Sequence, residues 1–104
     1  MWFVCLRRAL KPREQWQATV DGHLDWMRRQ HEAGSILLSG PGLFKGERYG
    51  VYLIRTGSRE EAERVAAADP FTAAGDCAYD LIEWEIHQIM GAGPFSASAI
   101  AAAR

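Results

Sequence analysis

The chain has 104 residues, 48% of them apolar, with 12 Lys and Arg against 13 Asp and Glu for a net charge of −1. A chain of this length makes one domain, and its near-neutral balance supplies neither the basic footprint of a nucleic-acid binder nor attraction to an anionic membrane surface. No run approaches the roughly 20 apolar residues of a membrane span. The apolar start followed by Arg7 and Arg8 reverses the charge order of a secretory leader, so a cytoplasmic protein is expected.

Residues 2–6, aromatic and branched, read as a first strand. Pro12 suits the first position of a helix and Glu14 its first turn. Trp16, Val20, Leu24 and Met27 follow at helical spacing in a stripe of about 80°, with His23 about 20° beyond its edge at roughly 100° per residue. Gly34 is placed to close this helix. Residues 35–39 read as a second strand broken by Gly40, Pro41 and Gly42, and residues 43–49 as a flexible hairpin loop leading to a third strand over 50–55. Ser58 and Glu61 form a capping box for a helix over 59–68, packed through Ala62, Val65 and Ala66 and stopped by Pro70. In a fourth strand over 79–87, Ile82, Trp84 and Ile86 alternate with Glu83, Glu85 and His87, which predicts one buried face. From Gly91 onward Gly and Ala dominate, with Pro94 and Phe95 as anchors, so a domain over 1–90 is expected to carry a tail over 91–104 that frays or lies as a short helix on a partner.

The order β-α-β-β-α-β is the split pattern of the ferredoxin-like α+β fold: a four-stranded antiparallel sheet with both helices on one face. The other face is then apolar and bare, and a face-to-face homodimer is expected to cover it.

His23 carries an imidazole, the side chain suited to taking and returning protons near neutrality. Asp69 precedes Pro70 and Phe71 where the second helix stops, in reach of a pocket. If Asp69 accepts a hydrogen bond from one nitrogen of His23, the other is free for a substrate. A satisfied helix histidine and an ordinary turn aspartate account for the same residues, and spacing leaves both readings open. Ser39 and the backbone near Gly40 end a strand where a hydroxyl and N–H groups could hold a substrate oxygen. The 40–42 segment lacks the spacing and lysine of a phosphate loop. His31 and His87 read as structural, and Cys5 and Cys77 as buried reduced thiols. No His, Cys or carboxylate set has metal-ligand spacing, so no metal is expected.

His23-Leu24 with Met27, then Gly34 through Pro41, then Ala68-Asp69-Pro70-Phe71-Thr72-Ala73-Ala74-Gly75 together resemble the YCII (YciI-like) family over about residues 1–90. The resemblance implies a dimeric α+β barrel and a His–Asp active-site pair at His23 and Asp69. It also implies cofactor-free chemistry of the type that removes chloride from a chlorinated hydroxyhydroquinone to give a hydroxyquinone. On that basis the expected function is a lyase or isomerase of aromatic catabolism for a small hydroxylated aromatic or enol. Ser39 and Gly40 would hold an oxygen, and Pro70, Phe71, Trp26 and Met27 would wall the pocket. The alternatives are a small-ligand-binding or stress-response protein without turnover and a cofactor-free quinol oxygenase.

Overall fold

The computed structural model describes residues 1–103. The central strand β1 (Trp2–Ala9) pairs antiparallel with β3 (Glu47–Arg55) on one side and β4 (Cys77–Glu83) on the other. The edge strand β2 (Ile36–Phe44) completes the sheet in the order β2-β3-β1-β4. A short helix α1 (Arg13–Trp16) and a 3-10 turn (Gln17–Thr19) lead into α2 (Val20–Ala33). The helix α3 (Arg59–Ala67) is followed by the single turn α4 (Pro70–Ala73). This is the ferredoxin-like α+β fold the element order predicts, with both long helices on one face.

Alternation decides what that face contains. The inward residues of β1 are Phe3 and Cys5, and those of β3 are Tyr52 and Ile54. With Ile36, Trp26, Ala62 and Ala66 they form the core. Small side chains on α3 let the helix approach closely, and Ser58 accepts a hydrogen bond from the Glu61 amide at 3.2 Å, as the capping box requires. The reciprocal arm differs: the Glu61 carboxylate takes the amide of Gly57 at 3.1 Å.

Four expectations give way to the structure. The buried side of α2 is carried by His23 and Trp26, while Leu24 is 58% exposed. The 3-10 turn puts only Trp16 out of phase with the later positions; within α2, Leu24 is exposed because it lines the open cavity and not the core. Gly40, Pro41 and Gly42 lie within β2 instead of breaking it, because an edge strand can turn a residue lacking an N–H toward solvent. The 43–49 segment is no loop: β2 and β3 run on to the pair Phe44 and Glu47, joined by Lys45 and Gly46 at φ 50° and 79°. Two positive φ values in a two-residue connection match the twist of a hairpin. Finally, β4 ends at Glu83, and its inward residues are Cys77, Tyr79 and Leu81; Ile82 and Trp84 lie on the opposite face, 51% and 49% exposed. The tail forms the short helix α5 (Ala97–Ala103) after a tight turn at Met90 and Gly91 that is closed by the pair Ile89 and Ala92.

Gly34 ends α2 in the left-handed region at φ 79°, its N–H reaching the carbonyls of Gln30 and His31. A Cβ there finds open space, so replacement costs only backbone strain. Gly34→Ala is expected to lower stability by about 1 kcal/mol, read as a shift of the urea midpoint with unchanged slope.

Candidate active site

The turn after α3 builds the site. Ala68 ends that helix, and Asp69 then adopts φ −54°, ψ 123°, serving as N-cap for α4 with Pro70 in its first turn. Pro70 thus starts a helix as well as ending one, since its missing N–H is one that a first helical position leaves unbonded anyway. Asp69 Oδ1 accepts the amide N–H of Phe71 at 3.0 Å. The cap holds the carboxylate inside the fold, where it is 0% exposed.

There the carboxylate meets His23. Asp69 Oδ1 lies 2.8 Å from His23 Nδ1, the distance of a charge-assisted hydrogen bond. Asp69 Oδ2 accepts from Tyr52 Oη and, at 3.0 Å, from Arg7 Nη1. Arg7 Nη1 also stands 2.5 Å from Tyr52 Oη. Four donors from β1, α2, β3 and α4 therefore surround one carboxylate. Arg7 Nη1 is 3.4 Å from both ring nitrogens of His23; this equal separation is van der Waals contact, since a bond to one lone pair would favour one nitrogen. Phe71 stacks on the His23 ring at 4.4 Å, and Trp16 meets Phe71 edge-on at 5.0 Å.

The electrostatics follow from this packing. Burial pushes the Asp69 carboxyl upward, but the hydrogen bonds from His23 and Tyr52, with the charges of His23 and Arg7, outweigh it and hold the group below its usual value. Tyr52 is pushed strongly upward by burial and the nearby Asp69 charge, against the opposing pull of Arg7, so it remains a neutral donor. Burial disfavours the charged Arg7, yet Tyr52 and Asp69 more than offset this and raise its pKa. Asp69 is thus a fixed anion with every lone pair engaged. Its role is orientation: His23 carries the proton on Nδ1, and Nε2 is left unprotonated in the neutral ring.

His23 lines a cavity of about 550 Å³ between α2 and the end of the sheet. Met27, Ser39, Gly40 and Phe71 line it too. Trp26 does not; it is a core residue against Tyr52. Pro70 does not either, and its ring packs 3.9 Å from where a Cβ on Gly22 would stand. Ser39 Oγ is 2.7 Å from His31 Nε2, an exposed contact that turns its hydroxyl toward the helix. Sequence reasoning missed Arg7 and Tyr52. The available signal was the inward phase of β1, which puts a charged residue in line with Phe3 and Cys5 and so demands a buried partner. Cys5 and Cys77 are buried free thiols; burial, with the Asp69 charge, lifts Cys5 to about 12, and Cys77 is raised chiefly by burial. Among the described residues, no cluster of His, Cys, Asp and Glu is placed to hold a metal, and no helix is long and apolar enough to cross a membrane.

Fold and site define a small ferredoxin-like domain with a carboxylate-anchored histidine beneath a cavity. The chain belongs to the YCII-related domain family, whose model matches residues 1–85. Its fold is similar to that of 5-chloro-2-hydroxyhydroquinone dehydrochlorinase (TftG) from Burkholderia phenoliruptrix AC1100, solved in complex with 2,5-dihydroxybenzoquinone. The two share 22% identity and a TM-score of 0.69, over 85% of this chain and 96% of that one. No protein of curated function matches the sequence.

Because its pKa is depressed, Asp69 contributes stability that is fully present above its unfolded value of 3.8 and lost as pH falls through the lower folded value. Asp69→Asn leaves Arg7 without its carboxylate and should cost about 3 kcal/mol at pH 7. Denaturant melts across pH should show the gap between wild type and variant closing below about pH 4.

Proposed function

We propose that the protein is a lyase working by general acid–base catalysis on a small hydroxylated aromatic, with removal of chloride from a chlorinated hydroxyhydroquinone as its most concrete form. The observation that carries this reading is the 2.8 Å contact between Asp69 and His23 Nδ1 beneath the cavity. The similarity in fold to a dehydrochlorinase supports the choice of reaction.

The residues suit the chemistry step by step. His23 Nε2 takes a proton from a ring hydroxyl, and Asp69 balances the charge of the imidazolium. Electrons from the oxyanion move into the ring, and the carbon bearing chlorine takes up a proton from His23, giving a keto form. A second hydroxyl then loses its proton as the C–Cl bond breaks and chloride leaves with its electron pair. The ring is oxidised by two electrons to the quinone level while the carbon that held chlorine becomes C–H. The net loss is HCl, and no external oxidant is consumed. Arg7, whose guanidinium lies against the His23 ring, stands where negative charge develops on the substrate oxygen. Ser39 and the backbone at Gly40 line the same cavity.

The purified protein should release chloride from the chlorinated hydroxyhydroquinone, as read by a chloride electrode, and His23→Ala should slow that release at least 10²-fold. Absence of chloride release by the wild type, or near-normal turnover in the variant, would contradict the reading.

We also propose that the active form is a homodimer joined through the sheet face opposite the helices. Val4, Leu38, Val51, Leu53 and Trp84 form an apolar concavity there, with Leu38 66% exposed. A face of this kind on a small domain calls for a cover. Light scattering should report two chains per particle for the wild type and one for Leu53→Glu.

A further inference from the structure

The cavity is charged in a way the chain as a whole is not. Basic and acidic residues number 12 and 13 over the whole sequence. Yet the cavity is lined by Arg7, Lys11, Arg13 and Arg48, and no carboxylate lines it. Asp69 lies behind the wall, fully buried. Two of the four cations are committed: Arg7 to Asp69 at 3.0 Å, and Lys11 to Asp76 at 3.1 Å. Arg13 and Arg48 have no ion pair among the described residues; Arg13 lies only against the Trp16 ring, 5.8 Å from its centroid.

The sheet explains how this arises. On β3, residues 52, 50 and 48 share the helix-facing side. Tyr52 is deep in the site, Gly50 has no side chain, and Arg48 stands near the hairpin end. At about 3.4 Å per residue, Arg48 is set roughly 14 Å along the strand from Tyr52. On β1 the matching sequence is Arg7 then Ala9, with Lys11 just beyond the strand. Gly50 is opposite Arg7, and a Cβ on it would fall 2.7 Å from Arg7 Cζ. The missing side chain of Gly50 thus makes room for the Arg7 guanidinium, Ala9 keeps the space beyond it open, and each strand leads outward to a cation.

We infer that the ring bound at this site, as substrate or as product, is an organic anion: a planar ring whose oxygen meets His23 while a delocalised negative charge on its far side is received by Arg13 and Arg48 at the mouth. Guanidinium pairs fit such a group well, since their fork of donors matches two oxygens and they stay charged at all working pH values. The cluster also draws anions toward the cavity, an effect that fades with salt. This assignment rests on the reading of the cavity as the substrate site. The charge has two possible sources, a carboxylate substituent or a ring oxyanion of the hydroxyquinone type.

Three ring probes separate the possibilities by titration calorimetry on the full chain: hydroquinone, which is neutral; 2,5-dihydroxybenzoate, which adds a carboxylate; and 2,5-dihydroxybenzoquinone, a ring oxyanion. At low salt one or both anions should bind roughly tenfold or more tightly than hydroquinone. Whichever binds tighter names the source. Arg13→Gln with Arg48→Gln should erase most of that preference, and 0.5 M salt should weaken it in the wild type. Equal binding of all three probes overturns the inference, as does a preference that survives in the double variant. His23→Ala separates the two claims: it should abolish turnover while keeping the anion preference. A preference kept alongside full turnover in that variant would remove the proposed reaction and leave the anion site standing.

Discussion

One buried carboxylate organises this molecule. Asp69 is fully enclosed and ionised, a state whose desolvation cost is several kcal/mol unless hydrogen bonds and opposite charge replace the lost water. The replacement comes from Arg7 on the central strand, His23 on the long helix, Tyr52 on the neighbouring strand and the Phe71 amide of its own turn. The most distant of these donors, Arg7, lies 62 residues from Asp69 in sequence. Each is held by a different element, so the carboxylate is satisfied only when the elements are correctly assembled. The same network fixes the histidine tautomer, so the demand that stabilises the fold also prepares the site.

The cavity is a second consequence of how the strands are written. Alternation sends Phe3, Cys5 and Arg7 to one face of β1, and Ile54, Tyr52 and Gly50 to the same face of β3. Moving toward the open end, bulky apolar side chains give way first to the polar pair Arg7 and Tyr52, then to Ala9 and Gly50. The space at Gly50 is taken by the Arg7 guanidinium, and beyond Arg7 and Ala9 the core ends and the cavity opens. Phe71 closes one side by stacking on His23, so α4 contributes both the cap that holds Asp69 and the aromatic surface over the ring. Function is thus concentrated where one strand face passes from apolar to empty.

Much of this was legible in the sequence, for identifiable reasons. The element order followed from periodicity and punctuation: Ser58 as a cap, Gly34 as a stop, and the apolar runs of the strands. The meeting of His23 with Asp69 was not legible from spacing, since 46 residues and two strands separate them; the YCII resemblance supplied it. Arg7 and Tyr52 were missed because one reads as a charge after an apolar strand and the other as a member of an apolar run. Only the strand phase marks them, and that phase is visible once pairing is known. The hairpin was misread because Pro41 and two glycines suggest a break, whereas position at the sheet edge makes them tolerable. Trp26 was assigned to the pocket with the family resemblance and not from its helix phase, which lies outside the stripe of Val20, Leu24 and Met27. In α2, Trp26 lies one turn beyond His23 and faces the core.

The central claim is that Asp69 holds the proton of the neutral His23 ring on Nδ1 and leaves Nε2 free to act as a base. Nitrogen-15 NMR of the imidazole, recorded on the intact protein at a pH where the ring is neutral, reads this directly. A protonated Nδ1 and a bare Nε2 in the wild type, with the preference lost in Asp69→Asn, is the predicted result. A proton resident on Nε2 in the wild type would contradict the account.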